Sequence, residues 1–214
     1  MKAVIFDMDG LMIDSERVTF ESYQEVMAPM GYTMDKTFYK TLLGKPVPNI
    51  KKCFYDQYGQ DFPFDEVLKK THETINNRFE KKGVPLKPGL IELLEYLKAH
   101  HYSTIVATSS DRQRVDHIFD LAHLHQYFDD SICGDEVTHG KPDPEIFLKA
   151  CEKLHVAPSD AFVLEDSEAG LQAAHSGHIH VICVPDMKYP EEKYASMATA
   201  IVPSLKEVIE VLEK

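Results

Sequence analysis

Residues 3–11 read Ala-Val-Ile-Phe-Asp-Met-Asp-Gly-Leu, a short apolar run that leads directly into two carboxylates and a glycine. The run predicts a buried parallel strand over residues 2–6, because such strands are apolar at successive positions. Side chains alternate along a strand, so Asp7 and Asp9 point to the same side, about 6.5 Å apart along the chain. Two like charges this close require a cation, a proton or both, which indicates acid/base or metal-assisted chemistry. The alternative is a solvated, aspartate-rich turn.

The composition limits the partners that this chain can bind. It has 214 residues, a formal net charge of -12 and a pI near 5.3, which oppose binding to nucleic acid or to an anionic membrane surface. Its four cysteines form no C-x-x-C pair, so we expect reduced thiols in a cytoplasmic protein. No apolar run approaches the ~20 residues that cross a bilayer, and acidic residues after Phe6 interrupt any signal sequence.

The order of the predicted elements divides the chain into two regions. Residues 15–82 show only helical patterns, whereas strands and helices alternate in the residues that follow. This alternation predicts an α/β core with a doubly wound, Rossmann-like parallel sheet, formed by residues 1–14 and 86–214. Residues 15–85 then form an inserted α-helical cap domain, and the two connections to it are candidate hinges.

The sequence pattern also predicts the bounds of the individual elements. The predicted helices of the cap span residues 16–30, 35–42, 48–58 and 65–82. The later core elements are predicted as helices at 89–99, 111–120, 144–154, 168–176 and from 204, and as strands at 103–107, 130–133, 161–164, 179–184 and 199–202.

Polar side chains lie in the loops that follow two of the later strands. Thr108 and Ser109 come directly after the second strand and precede a helix, where a hydroxyl and backbone N–H groups can hold an anion. Lys141 follows the third strand, two residues before Asp143, the expected N-cap of a helix that begins at Pro144.

The fourth predicted strand ends in a second pair of carboxylates, Glu165 and Asp166. The carboxyl ends of parallel strands meet at one edge of a sheet, so we expect this pair to lie near Asp7 and Asp9. Carboxylates bind a hard cation such as Mg²⁺, whereas a hydroxyl, an N–H and a lysine bind an oxyanion. The combination predicts a site for a phosphoryl group.

Four motifs stand in an order that resembles the haloacid dehalogenase superfamily of Mg²⁺-dependent phosphohydrolases. They are Asp7-Met8-Asp9-Gly10, Thr108, Lys141-Pro142-Asp143-Pro144 and Glu165-Asp166-Ser167. The resemblance covers nearly the whole chain. The branch that contains phosphoglycolate phosphatase and β-phosphoglucomutase carries a helical cap after its first motif, and residues 7–16 look like that branch.

The resemblance implies a two-step reaction at the paired aspartates. Asp7 would attack phosphorus and form an aspartyl-phosphate, while Asp9 would protonate the leaving alkoxide and then activate water. Mg²⁺ would be bound by the Asp7 side chain, the Asp9 backbone carbonyl and Asp166, with Glu165 bound directly or through water. The cofactor is therefore expected to be Mg²⁺.

The resemblance also implies how the phosphoryl group is held. Thr108 and the N–H of Ser109 would bind its oxygens, and Lys141 would neutralise the growing charge and keep Asp7 ionised. Gly10 would let the chain turn where a side chain would obstruct the phosphate.

The substrate implied by the resemblance is a small phosphorylated metabolite, hydrolysed as a phosphate monoester. The alternative is a β-phosphoglucomutase-like mutase, but such mutases carry a histidine that would match Thr19 and an arginine near Val47, and both are absent. Lys45, in the loop Gly44-Lys45-Pro46, is the expected cap residue for recognising a polar leaving group.

Other interpretations remain open at this stage. A non-catalytic interaction protein could use the fold to sense phosphate, although it would be expected to have lost Asp7, Asp9 or Lys141. His139 could be catalytic, but a role in shaping the loop before Lys141 is favoured. The cap aromatics are more typical of a bundle core than of a base-stacking surface. The branch resembled favours a monomer.

Overall fold

The structure, a computed structural model, describes residues 2–213 and divides the chain into two compact units. One unit contains the residues up to Asp14 and those from Val84 onward, and the other is Ser15–Gly83. The return from the insertion therefore falls two residues earlier than the sequence pattern puts it.

The first unit is built on a six-stranded sheet. Its strands are β1 (Ala3–Phe6), β2 (Ser103–Ala107), β3 (Asp130–Ile132), β4 (Ala161–Glu165), β5 (His180–Cys183) and β6 (Ala200–Ile201). All neighbouring strands are parallel, in the order β3-β2-β1-β4-β5-β6. The strand order reverses at β1, and sheets of this kind bind ligands beyond the carboxyl ends of their strands at such a point. The predicted doubly wound, Rossmann-like sheet is confirmed.

The register of β1 brings the ends of three strands together. Phe6 pairs with Val106 of β2 on one side and with Leu164 of β4 on the other. All four side chains of β1 are fully buried, as its unbroken apolar run predicts. The residues that follow these pairs, among them Asp7 and Glu165, therefore share one edge of the sheet.

The described residues form ten α-helices. Those of the insertion are α1 (Ser15–Met27), α2 (Lys36–Lys40), α3 (Val47–Tyr58) and α4 (Phe64–Lys82). Those of the first unit are α5 (Leu90–Ala99), α6 (Arg112–Ala122), α7 (Glu145–Lys153), α8 (Glu168–Ser176), α9 (Glu192–Ala195) and α10 (Val208–Leu212). The four-residue α9 is not predicted, because a single turn carries no readable periodicity.

The caps of α7 and α8 show how far local sequence rules reach. The Ser167 hydroxyl accepts from the N–H of Gly170 at 3.1 Å, so the predicted cap of α8 is confirmed. The predicted cap of α7 at Asp143 is wrong, because Pro144 occupies the N-cap position without a side-chain cap. The Asp143 carboxylate instead accepts from the N–H of Glu145, two residues on, at 2.9 Å.

The helical unit is organised around one aromatic side chain. Phe54 of α3 is fully buried, and its ring centroid lies 5.4 Å from that of Tyr23 and 5.2 Å from that of Phe64. Phe38 and Phe62 approach it at 5.4 and 5.1 Å. These rings pack on one another, as expected for the core of a bundle rather than for an exposed stacking surface.

The two connections to the insertion are hydrogen-bonded to each other. Asp14 N–H donates to the Pro85 carbonyl at 2.8 Å, and Lys87 N–H donates to the Met12 carbonyl at 2.9 Å. The Lys87 ammonium also pairs with Asp186, which follows β5, at 2.6 Å. The residues on either side of the insertion are thereby attached to the sheet unit.

Within residues 2–213, no helix has both the length and the apolar character needed to cross a bilayer. All four cysteines carry free thiols, and Cys133, Cys151 and Cys183 are buried. The expected reduced thiols therefore agree with the structure.

Candidate active site

Asp7 continues the line of β1 and is held by the neighbouring strand. Its N–H donates to the Leu164 carbonyl at 3.0 Å. Its side chain is almost fully buried, and Oδ1 accepts a hydrogen bond from Lys141 Nζ at 2.5 Å. Burial raises the pKa of the Asp7 carboxyl to about 7, and the ammonium of Lys141 opposes that rise. Further positive charge beside Asp7 would favour its ionised form.

Lys141 is the central cation of this cluster. Its buried ammonium donates to Asp7, to Glu165 Oε1 at 2.7 Å and to the Ala107 carbonyl at 3.1 Å. Burial lowers the pKa of a lysine, but attraction to the two carboxylates outweighs burial here and raises the pKa of Lys141. With all three side chains ionised, two carboxylates face one ammonium, so the cluster carries one net negative charge.

The loop that carries Lys141 is fixed by Glu145, the first residue of α7. The Glu145 carboxylate accepts from the N–H groups of Thr138 and His139 at 2.9 and 2.8 Å. Lys149 and then these N–H groups lower the pKa of Glu145 to about 2. The exposed His139 ring lies 3.2 Å from the same carboxylate. Through its N–H and its ring, His139 therefore helps to fix the conformation of the loop.

Glu165 is fully buried, and both of its oxygens accept hydrogen bonds. Oε1 accepts from Lys141, and Oε2 accepts from the N–H of Asp166 at 3.0 Å. Oε2 also accepts from the N–H and the hydroxyl of Ser167, each at 2.9 Å. The carboxylate is thus oriented on one side by backbone and hydroxyl donors and presents its other oxygen to the lysine.

The side chain of Asp9 is held by two residues that sequence reasoning missed. Ser110 Oγ donates to Asp9 Oδ2, and an Arg114 guanidinium nitrogen donates to Oδ1, each at 2.7 Å. Both donors follow β2: Ser110 lies in the loop before α6, and Arg114 lies in the first turn of that helix. Their presence after a strand that neighbours β1 is the signal that could have indicated them.

Thr108 and Ser109 lie just beyond β2, as predicted. Thr108 N–H donates to the Ile132 carbonyl at 3.0 Å, which extends the pairing of β2 with β3. Gly134 N–H donates to the Ser110 carbonyl at 2.8 Å. A Cβ at Gly134 would lie 2.2 Å from the Ser109 carbonyl oxygen, so this glycine allows the loop to pack closely. Helix α6 follows only at Arg112.

Gly10 adopts a positive φ of 85°, a conformation that glycine allows without strain. A Cβ at this position would lie 2.3 Å from Asp166 Oδ2. The Asp166 carboxylate therefore packs directly on the backbone that follows Asp9. A side chain at residue 10 would therefore clash with the Asp166 carboxylate. This clash is a second reason for glycine, besides the predicted obstruction of the phosphate.

Three residues at this edge carry oxygen donors of the kind that a hard divalent cation requires. Asp7 and Asp166 supply carboxylate oxygens and the Asp9 backbone supplies a carbonyl, the ligand types that Mg²⁺ prefers. Because the Asp166 carboxylate packs on Gly10, it lies close to the stretch of chain that contains the Asp9 carbonyl.

Lys45 belongs to the helical unit, in the loop between α2 and α3. Its side chain is exposed, and its Nζ lies 3.3 Å from the sulfur of Cys53. Its role in substrate recognition stays a prediction.

Comparison with known proteins identifies the family. The model of the haloacid dehalogenase-like hydrolase family matches residues 4–184. A phosphorylated carbohydrates phosphatase of Thermotoga maritima is 33% identical over 182 residues, which cover 85% of this chain and 84% of that protein. A phosphoglycolate phosphatase of Nitrosospira multiformis is 27% identical, over 100% of this chain and 96% of its own.

A solved structure shares the fold of the whole chain. CbbY from Rhodobacter sphaeroides, crystallised in complex with phosphate, is 25% identical and covers 97% of this chain and 96% of its own, with a TM-score of 0.77. The family match spans every motif from Asp7 to Asp166. The chain therefore belongs to the haloacid dehalogenase-like hydrolase family, in its phosphoglycolate phosphatase and β-phosphoglucomutase-like branch.

Proposed function

We propose that this protein, a phosphatase of its family, hydrolyses a small-molecule phosphate monoester with Mg²⁺ through an aspartyl-phosphate on Asp7. The observation that carries the proposal is the buried Lys141 ammonium, which bridges Asp7 and Glu165 at the switch point of the sheet. A lysine shared by two buried carboxylates keeps a carboxylate nucleophile ionised and adds positive charge for an incoming phosphate.

The nucleophilic step uses groups on β1 and after β2. Asp7 attacks phosphorus in line and the bond to the leaving oxygen breaks. Lys141 offsets the charge on the phosphoryl oxygens, which Thr108 and the N–H of Ser109 also bind. Asp7 is suited to this role because its backbone is fixed by Leu164 and its side chain by Lys141.

Asp9 transfers the protons in both steps. In its protonated form Asp9 gives its proton to the leaving alkoxide. The carboxylate that results then accepts a proton from the water that attacks the aspartyl-phosphate, and the bond between phosphorus and Asp7 breaks to release phosphate. Ser110 and Arg114 each donate to its side chain at 2.7 Å and orient it.

Asp7, the Asp9 carbonyl and Asp166 would hold the metal ion. When bound, Mg²⁺ reduces the repulsion between the anionic Asp7 and the phosphate. Glu165 would contact the metal ion through a water molecule. Its hydrogen bonds favour this over direct binding, because both of its oxygens already accept hydrogen bonds.

The experiment that tests the proposal measures phosphate release from para-nitrophenyl phosphate and from a panel of phosphorylated metabolites. We expect turnover with Mg²⁺, loss of turnover in excess chelator and recovery when Mg²⁺ is restored. Phosphate binding without turnover would instead support the phosphate-sensing alternative. Full activity in excess chelator would contradict the metal requirement.

Lys45 provides a test of substrate choice. Lys45→Ala should lower kcat/KM for a polar metabolite about tenfold or more, but have little effect with para-nitrophenyl phosphate, whose leaving group offers the lysine little to bind. The matched control is Lys40→Ala, which removes another exposed lysine of the same unit. Equal losses on all esters would place Lys45 in general phosphate binding or in the stability of the helical unit.

The mutase alternative makes a different prediction for the same unit. Introducing a histidine at Thr19 and an arginine at Val47 should strengthen binding of bisphosphorylated sugars if the comparison with mutases is correct. Inhibition constants for such sugars, measured with the double variant and the wild type, check this expectation. Unchanged constants would show that these two positions do not correspond to those of the mutases.

A further inference from the structure

Gly170 is the third residue of α8 and lies in its first turn, and glycine has a lower helix propensity than any residue except proline. Its φ is not positive, so the backbone conformation does not require glycine. The requirement for glycine at residue 170 must therefore come from something other than the backbone conformation.

The reason lies in the space beside Gly170. A Cβ built there would lie 1.9 Å from both Cδ and Oε1 of Glu165 and 2.4 Å from Oε2. Cβ atoms essentially never approach a heavy atom outside their own residue and its chain neighbours within 3.0 Å. The carboxylate of Glu165 therefore occupies the volume that any side chain at residue 170 would need.

Glu165 cannot yield this space without losing its partners. Its Oε2 accepts three hydrogen bonds from Asp166 and Ser167, and its Oε1 accepts from Lys141. Because Glu165 is fully buried, a displaced carboxylate would leave donors and charges without compensation.

The contact continues to the reacting carboxylate. Lys141, held by Glu165, donates at 2.5 Å to Asp7. We propose that Gly170 is a positioning residue, whose missing side chain lets Glu165 hold the Lys141 ammonium against Asp7. The inference rests on the proposed function, because that function supplies the reaction in which Lys141 takes part. It assigns a role to a residue that contacts neither the substrate nor the metal ion.

The test is Gly170→Ala, compared with Gly177→Ala at the end of the same helix. A Cβ at Gly177 would meet its nearest atoms, on Pro144 and Ile179, at 3.3 and 3.4 Å, so these neighbours would need to move by only a few tenths of an ångström. With para-nitrophenyl phosphate and Mg²⁺, Gly170→Ala should lower kcat about 10- to 100-fold, since small misplacements of catalytic groups have effects of this size. KM should change much less, and Gly177→Ala should keep the wild-type kcat.

A second variant separates positioning from a general loss of packing. Glu165→Asp shortens the side chain by one methylene and frees part of the space that a Cβ at residue 170 would need. Adding Gly170→Ala to Glu165→Asp should therefore lower kcat by less than about threefold, whereas the two effects would multiply if they were independent. Multiplicative effects, or a wild-type kcat in Gly170→Ala, would overturn the inference.

The melting temperature distinguishes this failure from a failure of the proposed function. Alanine normally stabilises a helix interior relative to glycine, but the clash should lower the Tm of Gly170→Ala by about 4 °C or more. An unchanged or raised Tm would overturn the inference whatever the activity. A wild type that releases no phosphate would overturn the proposed function, and the two Tm values would then decide whether Gly170 provides space for Glu165.

Discussion

Asp7→Asn should abolish phosphate release while the protein remains folded. The amide matches the carboxylate in size but is not a nucleophile, so we expect a fall in kcat of at least about 10³-fold. The fold should survive because Lys141 keeps Glu165 as a partner at 2.7 Å and the two charges then balance. Steady-state phosphate release and a thermal melt of the same preparation check both parts of the prediction.

The control for this experiment is a substrate-binding measurement on the inactive variant. Asp7→Asn should still bind inorganic phosphate, since Thr108, Ser109 and Lys141 are unchanged. A variant that kept more than a few per cent of the wild-type rate would rule out the covalent mechanism. An unfolded variant would show that Asp7 is needed for stability, and Asp7→Glu, which keeps the charge but moves the carboxylate, would then test the nucleophile.

Asp9→Asn should affect substrates according to their leaving groups. An alkoxide needs a proton to leave, so alkyl phosphates should lose about 10²- to 10⁴-fold in rate, whereas nitrophenolate leaves without one. Breakdown of the aspartyl-phosphate should also slow, because Asp9 activates the attacking water. Rapid mixing with para-nitrophenyl phosphate should therefore show a burst of nitrophenolate followed by a slow steady rate.

The interpretation of Asp9→Asn depends on keeping its neighbours in place. The amide can still accept from Ser110 or Arg114, which contact Asp9 at 2.7 Å, so the loop after β2 should be preserved. Equal losses on alkyl and aryl esters, with no burst, would contradict the acid/base role. A matching loss in Ser110→Ala would indicate that orientation of Asp9 contributes to the same steps.

Sequence patterns predicted the elements whose signals are local. The apolar run of β1, the alternation of strands and helices, and the Ser167 cap each depend on residues close in the chain. The motifs at strand ends are predicted to lie close together because parallel strands end at one edge of a sheet. The α7 cap was misplaced because Asp143 and Pro144 both suit a helix start.

The remaining features depend on residues that are far apart in the chain. Arg114 lies 105 residues from Asp9, and only the pairing of β1 with β2 brings them together. The Ala107 carbonyl that accepts from Lys141 has no side-chain signal at all. The sequence around residue 170 also gives no sign that glycine is needed there, because the need comes from the volume of Glu165 and not from the backbone conformation.

The ribbon formed by residues 12–14 and 85–87 makes the insertion an exchangeable module. The chain leaves and re-enters the sheet unit through neighbouring, hydrogen-bonded positions, and Lys87 anchors one of them to Asp186. Because hydrogen bonds within the sheet unit already hold the two ends together, we expect their positions to depend little on the length of chain between them. We therefore expect that residues 15–83 can be replaced by another domain whose ends lie equally close, with the fold of the sheet unit retained.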